Sequence, residues 1–136
     1  MRCCMVTQMA TTSKDKLKPE VQAAGIDIRG TQLGDLAVGF ESWPVGDYHA
    51  LFEGLPHGCE ASHHGYVLEG RARITYDDGT TEEIRAGQAY LIPAGHNIEV
   101  LEAARVVEFT PVDGGYETTM KAIEKNLPRF LEMQTA

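Results

Sequence analysis

Apolar residues in this chain come in short runs, alternating or nearly so with polar ones and separated by turn-forming residues, and that spacing predicts strands. From Gly25 onward the runs "DLAVGFESW", "YHALFEG", "GYVLEGRARITY", "TEEIRAGQAYLIP" and "IEVLEAARVVEFTP" follow one another with turn signals between them. Strands in such close succession fit an all-β sandwich or barrel and not an alternation of strands and helices. In "RARITYDDGTTEEI", Ile74 and Tyr76 alternate with polar neighbours before Asp78-Gly79 turns the chain back, which predicts a hairpin. Gly70, Gly79, Gly87 and Gly95 read as turn residues that need positive φ or tight packing. No glycine pattern of the phosphate-cradling kind opens a helix.

The period changes towards the C terminus. Met120, Ile123, Leu127, Phe130 and Leu131 recur at helical spacing and form one apolar stripe, suited to docking on a sheet or on a second copy of the chain. Pro128 is expected to kink or restart that helix, because it lacks a donor and clashes one turn back. At the other end, residues 1–15 show no period and are expected to form a flexible tail, with Cys3 and Cys4 as exposed thiols. The expected organisation is therefore a tail over 1–15, a barrel over 16–115 and a helical segment over 116–136.

Composition narrows the partners. The 136 residues carry a formal charge of -8 and no cluster of Lys or Arg longer than a pair, which argues against nucleic acid or an anionic membrane surface. No apolar run is long enough to span a bilayer, the start has no secretory apolar core, and three cysteines make no even disulfide framework. A reducing, cytoplasmic setting is the expectation.

The stretch "PHGCEASHHGYVLEG" places His57, Cys59, His63 and His64 within eight residues. If it is extended, the odd-numbered His57, Cys59 and His63 share one face and His64 points to solvent. Imidazole nitrogen and thiolate sulfur suit zinc and other late divalent metals, and three such donors on one wall leave a position open for water or substrate. His96, after the Pro93-Ala94-Gly95 turn, offers a fourth donor; His49 is an alternative from a neighbouring strand. Against this stands a metal-free barrel whose His and Cys line a ligand pocket, with Cys59 a reactive thiol if an imidazolium lowers its pKa. Glu108 lies between apolar residues on a strand. An outward, solvated placement is the default for it, whereas inward it becomes a candidate general base. Trp43 and Tyr48 read as core aromatics or as stacking residues at a barrel mouth.

These residues resemble the two motifs of the cupin superfamily, small antiparallel β-barrels of jelly-roll type with an interior metal site. The first motif, HxH, three or four residues, Glu, six residues, Gly, is met by His57, Cys59, His63 and Gly70, with Cys59 in place of the second His and His63 in place of Glu. The second is met at Gly87, Pro93 and Gly95, while its His position is Ile98, with His96 two residues earlier, and its closing Asn position is Glu102. The resemblance covers about Asp35 to Pro111, and the stretch is similar to a subgroup of single-domain cupins with a Cys, three residues, His and a PxGH turn. It implies a cupin-type barrel with Cys59, His63 and His96 as ligands, His57 at the first ligand position, and frequent pairing as a homodimer. The resemblance supplies no reaction, and the donor set itself points to binding of, or action on, a small organic molecule beside one divalent metal. Zinc is favoured as Lewis acid or water activator, and iron(II) with oxygen-dependent chemistry is the alternative. A non-catalytic structural or redox-sensing module is the other reading.

Overall fold

Two long strands, β5 (His63–Tyr76) and β8 (His96–Pro111), pair with each other along most of their length and organise the chain. They are rich in β-branched and aromatic residues on alternating positions, as a half-buried pleated surface requires. The structure is a computed structural model that describes residues 11–135; Cys3 and Cys4 lie outside the described residues. The remaining strands are β1 (Val21–Ala23), β2 (Ile26–Leu33), β3 (Leu36–Trp43), β4 (Gly46–Asp47), β6 (Thr81–Arg85) and β7 (Ala89–Ile92), followed by one helix, α1 (Tyr116–Thr135).

All pairings are antiparallel, in the order β1-β2-β3-β8-β5-β6, with β4 beside β8 and β7 beside β5. The two ends of each long strand have different neighbours. The C-terminal half of β8 pairs with β3, and the N-terminal end of β5 with β7; past the bend, β8 meets β4 and β5 meets β6. Register shifts between Val67 and Ala72 mark where the strands bend from one wall to the other. The result is a jelly-roll-like barrel, in agreement with the expected fold class. The hairpin between β5 and β6 forms as expected, with Gly79 at φ +88 and the Thr80 amide donating to Asp78 Oδ1.

Inside the barrel, Val67, Ala72, Ile74, Ile84, Ile92 and Val106 form one buried cluster. A second cluster, including Ile26, Tyr48, Leu51, Cys59, Val100 and Phe130, joins the barrel to α1. The apolar stripe therefore docks on this chain's own barrel: Phe130 is 1% exposed, and Ile123, Leu127 and Leu131 pack beside it. The helix runs unbroken through Pro128, so the expected restart does not occur; Pro128 lies on the exposed side. Among the described residues no helix is long and apolar enough to cross a membrane.

"YHALFEG" is not a strand. His49–Phe52 form a 3-10 turn that carries Leu51 and Phe52 into the core. Asn126 of α1 donates to the carbonyls of Leu51 and Glu53 at 3.0 and 2.9 Å, and Arg129 pairs with Glu53. Replacing Asn126 with Ala leaves two carbonyls without this donor and is expected to cost about 1–2 kcal/mol, read as a lower urea midpoint at unchanged slope. A loss below about 0.3 kcal/mol would show that the apolar stripe alone docks the helix.

Candidate metal centre

Cys59, His63 and His96 come from three segments, and local backbone geometry brings them together. Gly58, at φ +81, lets the chain pass so close to β8 that a Cβ there would lie 2.4 Å from the His96 carbonyl oxygen. The Cys59 amide donates to that same oxygen at 2.8 Å, and Gly95 donates back to the Cys59 carbonyl at 2.7 Å. The Pro93-Ala94-Gly95 turn starts β8 at His96, and β5 starts at His63 opposite Ile92. One donor atom from each of the three side chains lies within 4.8 Å of the others.

The hydrogen bonds decide which ring nitrogens face inward. His96 is 0% exposed; its Nδ1 lies 2.7 Å from the Pro93 carbonyl and so carries the proton that this acceptor requires. Its Nε2 is buried without a hydrogen-bond partner, an uncommon condition for a polar atom. His63 Nδ1 is held by Thr110 Oγ1 at 2.8 Å and Glu108 Oε2 at 3.3 Å, which leaves Nε2 3.3 Å from Cys59 Sγ. The two imidazoles stand edge to face, 5.2 Å between centroids. Two Nε2 lone pairs and one sulfur thus converge, each ring anchored through its other nitrogen, as in sites where a backbone carbonyl or a carboxylate orients a metal-binding histidine.

Burial sets the charge state. It lowers the pKa of His96 to about 4 and also lowers that of His63, and it pushes the Cys59 thiol up to about 12. Burial works against an imidazolium that would activate Cys59, since in a dry wall thiol and imidazole are both more stable neutral. A divalent cation is what would favour the thiolate there.

His57 and His49 are not brought to this group. The left-handed turn at Gly58 breaks strand alternation between His57 and Cys59, so the His57 side chain points out, 59% exposed, with Nδ1 2.9 Å from Asp77 Oδ2. His49, on the 3-10 turn, is exposed and pairs with Asp47. His64 faces solvent as strand parity requires.

Glu108 faces inward, against the default of a solvated acid, because Phe109 takes the outer face of β8 at 36% exposure. Its strand partners on both sides are glycines, Gly39 of β3 and Gly65 of β5. The space above them holds the Glu41 carboxyl and the Tyr90 ring: a Cβ would lie 2.6 Å from Glu41 Oε2 at Gly39 and 2.5 Å from the Tyr90 ring at Gly65. The Tyr90 hydroxyl donates to Glu108 Oε1 at 2.7 Å, the Trp43 indole donates to Glu41 Oε1 at 2.9 Å, and the two carboxyl groups are hydrogen-bonded to each other. Burial raises both carboxyl pKa values well above the usual range, and the charge of Glu108 further opposes ionisation of Glu41, so the pair holds a proton. Burial likewise raises Tyr90.

Glu41, Tyr90 and Thr110 were not legible as site residues. The available sign was Glu41 at an odd position of β3, in step with Ala37, Gly39 and Trp43. All of these groups border one cavity of about 780 Å3 inside the barrel, which Trp43, Tyr48, Cys59 and His63 also line and which α1 closes with Met120, Ile123 and Leu127. Tyr48 is core as well, 4% exposed and edge-on to Trp43 at 4.8 Å.

The chain matches no family model, and no curated protein sequence matches it. Solved structures do match. An RmlC-like cupin from Shewanella frigidimarina superposes with a TM-score of 0.56 at 17% identity, over 76% of this chain and 92% of that one. Ectoine synthase from P. lautus gives 0.55 at 15% identity, over 76% and 78%. Oxalate decarboxylase from Bacillus subtilis gives 0.53 at 19% identity over 80% of this chain, which spans about a third (32%) of that larger protein. The chain has the cupin fold, a small antiparallel jelly-roll-like barrel closed by one C-terminal helix.

Proposed function

We propose that this barrel binds one divalent metal ion through Cys59, His63 and His96 and acts on a small organic molecule held in its cavity. The observation that carries this reading is the buried, unpartnered His96 Nε2, aimed at the same point as His63 Nε2 and Cys59 Sγ. An Nε2 with no partner at 0% exposure is costly unless a ligand completes it. Two neutral imidazoles and a sulfur are a donor set that zinc prefers, with iron(II) the alternative. When bound there, the metal supplies a Lewis acid that polarises an oxygen of the ligand or acidifies a water.

The chain's own groups account for the rest of the chemistry. Pro93, Thr110 and Glu108 fix the two ring tautomers. Cys59 and His63 line the cavity, so the side left free by three protein donors opens onto space for an organic molecule, which favours a ligand-accepting site over a closed structural one. Glu108 with Tyr90, across the His63 ring from the donor atoms, forms a proton donor-acceptor pair at the cavity wall.

Elemental analysis of protein purified without an affinity tag or chelator is expected to find about one zinc per chain. Cys59→Ser and His96→Ala should lower that content at least tenfold, while His57→Ala and His49→Ala leave it unchanged. Iron in place of zinc would direct the search for activity to oxygen-dependent reactions. Absence of metal from the folded parent protein, or equal loss in His57→Ala, would overturn the ligand set.

A further inference from the structure

We propose that the cavity takes a neutral molecule with a hydrocarbon body and a single oxygen head, an aliphatic alcohol or ketone, which enters beneath the N-terminal half of α1. The proposal rests on the reading of the cavity as a ligand site and names the class of molecule that fits it.

The first reason is the room left under the helix. The apolar stripe of α1 is used differently along its length. Phe130 is 1% exposed in the core, whereas Met120, near the start of the helix, stays 40% exposed while bordering the cavity with Ile123 and Leu127. The other wall is formed by Val21, Ile28 and Ala37, apolar side chains of β1, β2 and β3 that are only half-buried. Gly30 and Gly39, which pair with each other, border the same space without side chains. This part of the barrel is therefore not filled as an interior is, and a hydrocarbon body in the gap would remove apolar surface of both walls from water. At the outer end the lining turns polar and exposed, with Glu20, Gln32, Glu117 and Lys121.

The second reason is that the polar side chains deeper in the cavity already have protein partners. The Trp43 indole donates to Glu41, the Tyr90 hydroxyl to Glu108 and the Tyr48 hydroxyl to the Pro44 carbonyl, and Thr119 Oγ1 accepts from the Glu60 amide. A sugar or other polyol would bring several hydroxyl groups out of water to a wall whose donors are engaged, and each unpaired one is costly. A hydrocarbon body has nothing to pair. A single oxygen head needs partners at one end only, and Cys59 and His63 mark that polar end. A neutral head adds no charge to the wall, so it suits the cavity with or without the cation proposed there.

The test uses Trp43, the single tryptophan of the chain and part of the cavity lining, as a fluorescent reporter in the full chain. The probes are the straight-chain alcohols from pentanol to octanol, with glucose and xylitol as polyols. Affinity is expected to rise at least about twofold with each methylene, the direction that burial of a CH2 dictates, and the polyols are expected not to bind at millimolar concentration. Ala37→Leu, which fills the gap, and Met120→Glu, which places a charge at its entrance, should each weaken octanol at least fivefold. Lys125→Glu, on the exposed side of α1, should bind octanol like the parent. All variants are checked for native circular dichroism. Affinity independent of chain length, polyol binding as tight as that of octanol, no saturable octanol binding, or full affinity in both folded wall variants would overturn the proposal. Metal content of the same samples separates this reading from the previous one: alcohol binding without metal removes only the metal centre, and metal without alcohol binding removes only the ligand class.

Discussion

Gly70→Ala is expected to cost about 2–5 kcal/mol of stability, enough at the upper end to leave a domain of ordinary stability only marginally folded. Gly70 lies where β5 bends from one wall of the barrel to the other, in the stretch of shifted register against β8, and its φ is +88. An alanine at that φ costs about 1–2 kcal/mol by itself. Its Cβ would also stand 2.2 Å from the Ala103 carbonyl oxygen and 2.6 Å from Ala104 Cα, both backbone atoms of β8, where Ala104 pairs with Trp43 of β3. Overpacking of that kind adds about 1–3 kcal/mol. Gly79→Ala is the control, because Gly79 has the same φ of +88 with open space around it, so only the conformational part applies. Urea titration of the two variants checks the difference; equal losses would mean that the close approach at Gly70 relaxes at no cost.

Metal-free protein is expected to lose stability as the pH rises from about 6.5 to 8, and the slope should flatten in Glu41→Gln. Glu41 and Glu108 have folded pKa values raised above the unfolded 4.5, first by burial and, for Glu41, next by the charge of Glu108. A group shifted in that direction contributes stability that is fully present below 4.5 and lost as the pH rises towards its folded value, since the unfolded chain releases the proton first. His96 works in the opposite sense: its pKa falls to about 4 from 6.5, so its contribution is intact above 6.5 and lost as the pH drops towards 4. The two trends oppose each other between 4.5 and 6.5, and the carboxyls alone act above that. Each acid contributes at most about 1.4 kcal/mol per pH unit. The measurement is the urea midpoint of chelator-treated protein at pH 5, 6.5 and 8. A midpoint that holds steady or rises from 6.5 to 8 would show that the pair is ionised in the folded state.

The hairpin, the glycine turns and the helical stripe were all legible, because each is a local pattern: period 2, a left-handed turn residue, period 3.6. The candidate metal centre was legible in part. His63 lies on a regular strand and His96 begins one, but Cys59 reaches them through contacts with β8 and not through the parity it was assigned. Parity misplaced His57 because it assumes an unbroken strand, and the left-handed Gly58 interrupts the alternation between His57 and Cys59. Glu41 was missed for a different reason. An acid at an inward position is read as a misfit until the partners that accept it, Trp43 on its own strand and Glu108 and Tyr90 on others, are seen to converge.

The sequence by itself determined an all-β barrel with a helical C-terminal stripe, since hydrophobic period and turn chemistry act over a few residues and need no knowledge of the fold. It also carried the donor types of the candidate metal centre. Only the tertiary structure decided which donors meet, which ring nitrogens face inward and which acids share the cavity. Those depend on strands far apart in sequence, β3, β5, β7 and β8, being placed side by side in one register, where the two bare glycines beside Glu108, Gly39 of β3 and Gly65 of β5, make room for the Glu41 carboxyl and the Tyr90 ring.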